Sequence, residues 1–135
     1  MRILIDTNVI LDILQKREPF FADSYRALRK AIESDADCLI SASAATDIFY
    51  MLRKSLGSAQ QAKEQLEQLA QLVSFADVQG MDIHTALMRA MPDFEDAVVD
   101  AVAERNGVSY ILTRNIKDFA GSVVPAILPA DFLNK

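Results

Sequence analysis

The feature that most constrains this chain is a set of short apolar runs that alternate with longer segments of helical periodicity. Residues 3–5, 38–40 and 110–112 are runs of this kind. Their apolar residues are contiguous, whereas a strand with one solvated face alternates apolar and polar residues. Contiguous runs are typical of parallel strands that are buried on both faces. The pattern therefore predicts an α/β fold, a three-layer α/β/α sandwich around a mostly parallel sheet.

Helical spacing, capping residues and glycines predict the remaining elements. Tyr25, Leu28 and Ile32 recur at helical spacing, while Gly57 can end one helix and Ser58 can begin the next. The predicted strands are residues 2–5, 38–40, 73–76, 108–112 and 124–128. The predicted helices are residues 8–15, residues 20–34, a third from Ser41 or Ser43 to about residue 56, residues 59–72, residues 81–90, a sixth from residues 92–93 to 106–107, and a short last one from residues 129–130.

The composition is that of an ordinary globular chain, with 51% hydrophobic and 24% charged residues. Its 135 residues, without a linker or repeat, predict one domain that spans residues 1–135. No apolar stretch approaches the about 20 residues of a membrane span, and no signal peptide precedes the first strand, so a cytoplasmic location is expected. Cys38 is the single cysteine, which excludes an internal disulfide and a cysteine-type zinc site.

The net charge of −5 restricts the ways in which this chain could bind nucleic acid. A broad basic face that grips phosphates is not expected. A nuclease is still allowed, because clustered acids at a metal site inflate the negative count and a bound cation offsets it locally.

Oxygen-bearing side chains follow the predicted strands or begin the helices after them. Asp6 directly follows the first strand, Asp47 comes after the second, residues 93–96 begin the sixth helix, and Asn115 and Asp118 follow the strand at 108–112. The carboxyl ends of parallel strands meet at one edge of the sheet, so these groups should lie together. Converging carboxylates repel one another unless a divalent cation lies between them. This predicts a Mg²⁺ or Mn²⁺ site and phosphodiester chemistry.

Asp6 and Asn8 lie at the turn between the first strand and the first helix, where three interpretations are open. Asp6 or Thr7 could simply cap the helix. Asp6 could instead bind a metal ion while Asn8 orients its carboxylate through a hydrogen bond. Asp6 could also be a phosphatase nucleophile, but that mechanism usually needs a second acid two residues later, and Asn8 occupies that position.

Asp47 and Asp96 are candidate metal ligands that also have structural interpretations. Asp47, about one turn into the third helix, could be an exposed acid near the positive end of the helix dipole. Asp93 and Asp96 have the spacing of a capping box, but a helix N-terminus also favours the ionised carboxylate that a metal ion needs. Asp100, one turn after Asp96, is a candidate supporting residue. Glu95 is expected to point into solvent.

The segment after the strand at 108–112 supplies the other candidates. Asn115 or Asp118 should provide the fourth oxygen ligand, although these two residues could also only cap and close a short turn. Thr113 should hold a neighbouring carboxylate in place, and Arg114 or Lys117 should contact phosphate.

Four segments together resemble the PIN domain, a ribonuclease fold found in the VapC-like toxins of bacterial toxin–antitoxin pairs. They are residues 1–9, 41–52, 93–97 and 113–119, so the resemblance covers essentially the whole chain. It implies a PIN-like, Rossmann-like sheet, a homodimer, and a small antitoxin that wraps the helices near the site. It also implies three near-invariant acids and a fourth, more variable position. The three acids are carried here by Asp6, Asp47 and Asp96, and the fourth position falls on Asn115 or Asp118. The middle acid of the family is usually glutamate, so Asp47 departs from the pattern by one methylene.

The resulting hypothesis is a metal-dependent endoribonuclease, the toxin of a toxin–antitoxin pair. Asp6, Asp47, Asp96 and Asn115 or Asp118 would hold Mg²⁺ or Mn²⁺ beside an RNA phosphate. Two alternatives stay open: a weak or inactive PIN-like module that binds RNA or a protein, and an aspartate-dependent phosphatase. A homodimer interface is also predicted from a surplus of apolar residues on the third and fourth helices, namely Ile48, Phe49, Met51, Leu52, Leu56, Leu66, Leu69 and Leu72.

Overall fold

A computed structural model of the chain describes residues 1–135. Five strands form one sheet: β1 (Arg2–Ile5), β2 (Asp37–Ser41), β3 (Ser74–Ala76), β4 (Tyr110–Leu112) and β5 (Ala126–Ile127). The helices are α1 (Thr7–Leu14), α2 (Phe21–Glu33), α3 (Ala42–Leu56), α4 (Ala59–Ala70), α5 (Gly80–Leu87), α6 (Phe94–Arg105), α7 (Pro129–Phe132) and a 3₁₀ helix (Ile116–Phe119). None of them is both long enough and apolar enough to span a membrane.

The strands are all parallel and lie in the order β3-β2-β1-β4-β5. Along β1, Ile3 and Ile5 belong to a core formed with α1, α2, α3, α4 and α7, whereas Leu4 belongs to a second core formed with α5 and α6. The sheet is therefore buried on both faces, which explains why its strands show no polar alternation. The predicted three-layer α/β/α sandwich with a parallel sheet is confirmed.

Strands β4 and β5 each begin two residues later than predicted, because the residues before them bond elsewhere. The backbone N–H of Val108 donates to Ala103 at the end of α6, at 3.0 Å, so β4 begins only at Tyr110. The N–H groups of Val123 and Val124 donate to a side chain of α6 instead of to β4. The predicted end of α3 is confirmed at Gly57, which is left-handed with φ +68°. The predicted start of α4 is also confirmed, because Ser58 caps this helix.

The apolar residues of α3 and α4 do not form the exposed surplus that predicted a dimer interface. Ile48, Leu52 and Leu69 are buried, and Phe49, Met51, Leu56 and Leu66 pack against the same core. Of this set only Leu72 is largely exposed, at 55%. The two helices bury these side chains against the sheet, against α1 and against each other, so their apolar content gives no argument for a dimer.

The order of the strands creates a crevice at the carboxyl ends of β1 and β4. After β1 the chain adds β2 and β3 on one side, then returns to add β4 and β5 on the other. In open α/β sheets, ligands bind outside the carboxyl ends of the strands at such a reversal. Asp6 follows β1 and Thr113 follows β4, so both lie at this point.

Candidate active site

The two carboxylate oxygens of Asp6 have different partners, one in the cap of α1 and the other at the end of β4. Its Oδ1 accepts a hydrogen bond from the backbone N–H of Thr7 at 2.8 Å, at the N-terminus of α1. Its Oδ2 accepts one from the Thr113 hydroxyl, also at 2.8 Å. Thr113 is fully buried at the end of β4. The capping and the functional interpretations of Asp6 are therefore compatible.

Asn8 and Thr113 form a small network around that carboxylate. The side-chain amide of Asn8 donates to Asp6 Oδ2 at 3.3 Å and to Thr113 Oγ1 at 3.4 Å. The Asn8 carbonyl oxygen accepts from the backbone N–H of Arg114 at 3.3 Å, and Thr113 Oγ1 accepts from that of Asn115 at 3.0 Å. These are the contacts that an orienting Asn8 and a supporting Thr113 would make. They also link α1 to the segment after β4.

Asp96 approaches the same crevice from the first turn of α6. Asp93 caps this helix, because its Oδ1 accepts from the backbone N–H of Asp96 at 2.9 Å. The pKa of Asp96 is raised from 3.8 to about 7 by burial, and further by the charges of Asp6, Asp93, Asp118 and Glu95. These carboxylates lie close enough to oppose one another's ionisation.

The pKa of Asp6 is also shifted by burial and by neighbouring groups. Burial raises its pKa, the hydrogen bonds from Thr113 and Thr7 lower it, and the charge of Asp118 raises it again. A divalent cation among these carboxylates would favour their ionised forms. All the candidate ligands are oxygen atoms, which suits a hard cation such as Mg²⁺ or Mn²⁺.

The carboxylates do not form a preassembled ligand cluster. No three acidic, imidazole or thiol groups of the chain converge in the way that would hold a metal ion. Mg²⁺ keeps several waters and is usually bound through only one or two carboxylates. Two carboxylates such as those of Asp6 and Asp96 therefore fit such an ion chemically, with water or further oxygen ligands to complete its coordination shell.

An open cleft of about 340 Å³ contains both acids. Its lining joins the start of α1, the start of α6 and the segment after β4. The residues are Asp6, Thr7, Asn8, Leu11, Arg17, Met51, Asp93, Glu95, Asp96 and Asn115. Two predicted ligands lie outside this lining: Asp47 is exposed on α3, and Asp118 borders a neighbouring cavity with Asn115 and Lys117.

Glu95 and Arg17 line the cleft but were not predicted as site residues. Glu95 was expected to point into solvent; it is exposed, yet its pKa is raised by partial burial and by the charges of Asp47, Asp93 and Asp6. Helical phase therefore predicted its exposure but not its place in the cleft, which it lines together with Asp93 and Asp96. Its position beside Asp96 in an acidic first turn was the available signal.

Arg114, one of the two residues that were predicted to contact phosphate, is paired with an acid. Its Nε donates to Asp12 Oδ2 at 2.6 Å and its Nη2 to Asp12 Oδ1 at 3.1 Å. The guanidinium carbon lies 3.9 Å from the centroid of the Phe20 ring. Asp12 is fully buried and also accepts from the Ser24 hydroxyl at 3.2 Å. An acid within the apolar helix α1 was the sequence signal for this partner.

Asp100 was predicted to support the metal site, but its contacts are elsewhere. It is fully buried, and its two oxygens accept from the backbone N–H groups of Val123 at 3.0 Å and Val124 at 2.9 Å. Arg89 Nε lies 3.1 Å from its Oδ2. Asp100 therefore anchors the segment that leads into β5.

The sequence of this chain matches a known family. The family model described as the PIN domain matches residues 2–117. This chain belongs to the PIN domain family. The match includes Asp6, Asp47, Asp96 and Asn115 and ends one residue before Asp118. The family resemblance of the four sequence segments is confirmed.

Solved structures with this PIN fold include several toxin–antitoxin proteins. VapBC2 from Rickettsia felis, bound to a promoter DNA fragment, has a chain with a TM-score of 0.74 and 15% identity, covering 95% of this chain and 98% of that one. FitAcB from Neisseria gonorrhoeae gives 0.68 and 20%, covering 94% and 97%. Mycobacterium tuberculosis VapC20, described as a sarcin-ricin loop cleaving toxin, gives 0.64 and 18%, covering 81% and 86%. At these identities the likeness shows the fold. No curated protein matches the chain.

Proposed function

We propose that this PIN domain is a metal-dependent endoribonuclease and the toxin of a toxin–antitoxin pair. The observation that carries the proposal is the meeting of Asp6 and Asp96 at the strand reversal, in an open cleft where each carboxylate has a raised pKa. Carboxylates that resist ionisation on their own are suited to share a cation. VapC20, a toxin of the same fold, is described as cleaving the sarcin-ricin loop, which supports RNA as the substrate class.

Asp6 and Asp96 would hold Mg²⁺ or Mn²⁺, with Asn115 or Asp118 at the fourth position. Asp47 adjoins Glu95, and one acid of this pair would complete the set. When bound, the cation supplies Lewis-acid activation of the scissile phosphate and of an attacking water. Thr113 and Asn8 would keep the Asp6 carboxylate oriented. The apolar wall formed by Leu11 and Met51 would limit the water that reaches one side of the cleft.

The phosphatase alternative is not supported by the contacts of Asn8. A proton donor at this position would have to be free to face the leaving group. The Asn8 amide instead donates toward Asp6 Oδ2 and Thr113 Oγ1. An amide also has no acidic proton to deliver at neutral pH.

The proposed partners are RNA, a small antitoxin and a second copy of this chain. The proposed location is the cytoplasm. The VapBC2 and FitAcB complexes support the antitoxin, because their toxin chains share this fold along nearly its whole length. An acidic, open cleft would suit an antitoxin segment that inserts a basic side chain and competes with the cation and RNA.

Cleavage of RNA by the purified protein tests the proposal. Single-stranded and structured RNAs should be cut internally in Mn²⁺ or Mg²⁺ and left intact in EDTA. Readdition of Mn²⁺ in excess should restore cleavage. Cleavage that continues in EDTA would contradict the metal dependence. An intact RNA pool under all metal conditions, with protein that is folded and binds Mn²⁺, would contradict the nuclease function.

A further inference from the structure

Arg17 is held in the cleft by a neutral partner. It lies just after α1 and is half-buried. Its Nε donates to Gln15 Oε1 at 2.8 Å, and the Gln15 amide in turn donates to the backbone carbonyl of Met51 on α3 at 3.4 Å. Its backbone is also fixed, because its N–H donates to the backbone carbonyl oxygen of Asp12 at 3.0 Å. The guanidinium is therefore positioned without its charge being neutralised.

The lack of an acidic partner distinguishes Arg17 from the other half-buried arginines. Arg89 and Arg114, which are also half-buried, each pair with a fully buried aspartate. None of the salt bridges of the chain involves Arg17. Its two terminal nitrogens keep their donors available, and a planar guanidinium fork matches the oxygens of a phosphate.

Arg17 is also the one cationic side chain that lines the cleft. The same lining carries the four carboxylates of Asp6, Asp93, Glu95 and Asp96. An incoming phosphodiester is repelled by these acids and by a chain of net charge −5. Arg114 offsets part of this repulsion at Asp6, but its guanidinium is paired with Asp12 and lies outside the lining of the cleft. The position of Arg17 thus sets the side of the cleft on which a phosphate is favoured.

We propose that Arg17 is a substrate-positioning residue that binds a backbone phosphate of a single RNA strand, next to the phosphate presented to the acids. The inference rests on the proposed ribonuclease function and adds the contact that brings an anionic strand into an acidic cleft. Gln15 orients the fork, and the acids opposite fix the register of the strand. Because the contact is to phosphate, it is independent of base sequence.

Salt-dependent RNA binding tests this role. Each variant is built on Asp6→Asn, so that RNA is bound without being cut, and a short fluorescein-labelled single-stranded RNA is titrated in Mn²⁺ at several salt concentrations. Arg17→Ala should weaken binding about 10- to 100-fold. It should also reduce the slope of log affinity against log salt by about 0.7, the value for one lost phosphate contact on a single strand. Arg17→Lys should keep the slope but not the full affinity.

Arg26→Ala is the matched control, because it removes the same charge from an exposed position on α2 outside the cleft. It should change affinity less than about 2-fold, since salt screens an exposed charge that does not contact the RNA. Thermal melts verify that each variant is folded. In an otherwise wild-type chain, Arg17→Ala should raise KM for RNA more than it lowers kcat.

The outcomes separate this inference from the nuclease proposal. If wild type cleaves RNA but Arg17→Ala binds with unchanged affinity and salt slope, the Arg17 role is wrong and the nuclease proposal stands. If wild type never cleaves RNA but binding depends on Arg17 as described, the nuclease proposal is wrong and the phosphate contact stands. If folded protein binds no RNA at all, both are wrong, and an acidic protein segment becomes the better ligand for Arg17.

Discussion

The Thr113 hydroxyl donates a 2.8 Å hydrogen bond to Asp6 Oδ2 across the boundary between β1 and β4. The two strands pair in parallel, with Ile5 opposite Leu112, so the residues that follow them are brought side by side. This bond fixes the orientation of one candidate metal-binding carboxylate from a fully buried position. It also lowers the pKa of Asp6 against the effect of burial.

Thr113→Val should test the importance of this bond. Valine keeps the shape of the side chain but removes the hydroxyl, so Asp6 loses a donor and holds its proton more tightly. Partners that orient a metal ligand typically contribute 10- to 100-fold, so we expect kcat/KM for RNA to fall by about that factor. The lower limb of the pH–rate profile should move to higher pH. Thr85→Val on α5 is the control, and equal activity of the two variants would show that the bond is only structural.

The raised pKa of Asp96 predicts a pH dependence of stability in the metal-free protein. The pKa is about 7 in the folded chain, against an ordinary value of 3.8. Between these values the folded state binds more protons than the unfolded state, so the free energy of unfolding should fall as pH rises from about 4 to 7. The raised pKa values of Asp6 and Glu95 act in the same direction.

Thermal melts in EDTA and in Mn²⁺ across this pH range measure the effect. Mn²⁺ should raise the Tm far more at the upper end, because protons compete with the cation for the same carboxylates. Asp96→Asn should flatten the fall in EDTA and reduce the response to Mn²⁺. A metal-free wild type whose Tm rises steadily from about pH 4 to 7 would contradict the account.

The Asp12–Arg114 pair should behave as a structural unit. Arg114→Leu leaves the Asp12 carboxylate buried without its partner, and we expect a loss of about 3–5 kcal/mol in the free energy of unfolding measured in urea. The double variant Asp12→Leu with Arg114→Leu removes both charges and should recover most of that loss. Arg53→Leu, an exposed change on α3, should stay within about 0.5 kcal/mol. Reduced RNA affinity of Arg114→Leu without reduced stability would return Arg114 to a phosphate-binding role.

Substitution can show which of Glu95 and Asp47 contributes more to kcat/KM. Glu95 lines the cleft and Asp47 does not. We expect Glu95→Gln to lower kcat/KM about 10-fold more than Asp47→Asn, since a displacement of about 1 Å from the reacting atoms can cost 10²-fold. Asp47→Glu should be tolerated, because the longer side chain carries its carboxylate further toward the same acids. The reverse ranking, with full activity of Glu95→Gln, would assign the middle acid to Asp47 alone.

Much of this site was accessible from the sequence, for a topological reason. Residues that follow parallel strands share one sheet edge, so Asp6, Asn8 and Thr113 could be placed together before any coordinates were known. The capping role of Asp93 was equally local, because it depends on residues three positions apart.

The remaining site residues depend on tertiary packing that spacing does not encode. The Asp12–Arg114 pair depends on how α1 packs against the segment after β4. Asp100 accepts hydrogen bonds from the loop before β5, a contact that its position on α6 did not indicate. Arg17 is held in the cleft by Gln15, whose amide donates to Met51 on α3. These are side-chain contacts between elements distant in sequence, for which the periodicity of either element alone carries no signal.

Asp6 is proposed to bind the cation on which RNA cleavage depends, and the cleavage rate of an Asp6→Asn variant tests this role. Asparagine is as good a helix cap as aspartate, so α1 and the fold should be retained. We predict that Asp6→Asn melts within a few degrees of wild type in EDTA and loses at least about 100-fold in RNA cleavage with Mn²⁺, more than a supporting residue contributes. Asp131→Asn, an exposed acid on α7, should cleave like wild type. Folded Asp6→Asn protein that cleaves RNA at the wild-type rate would contradict the account.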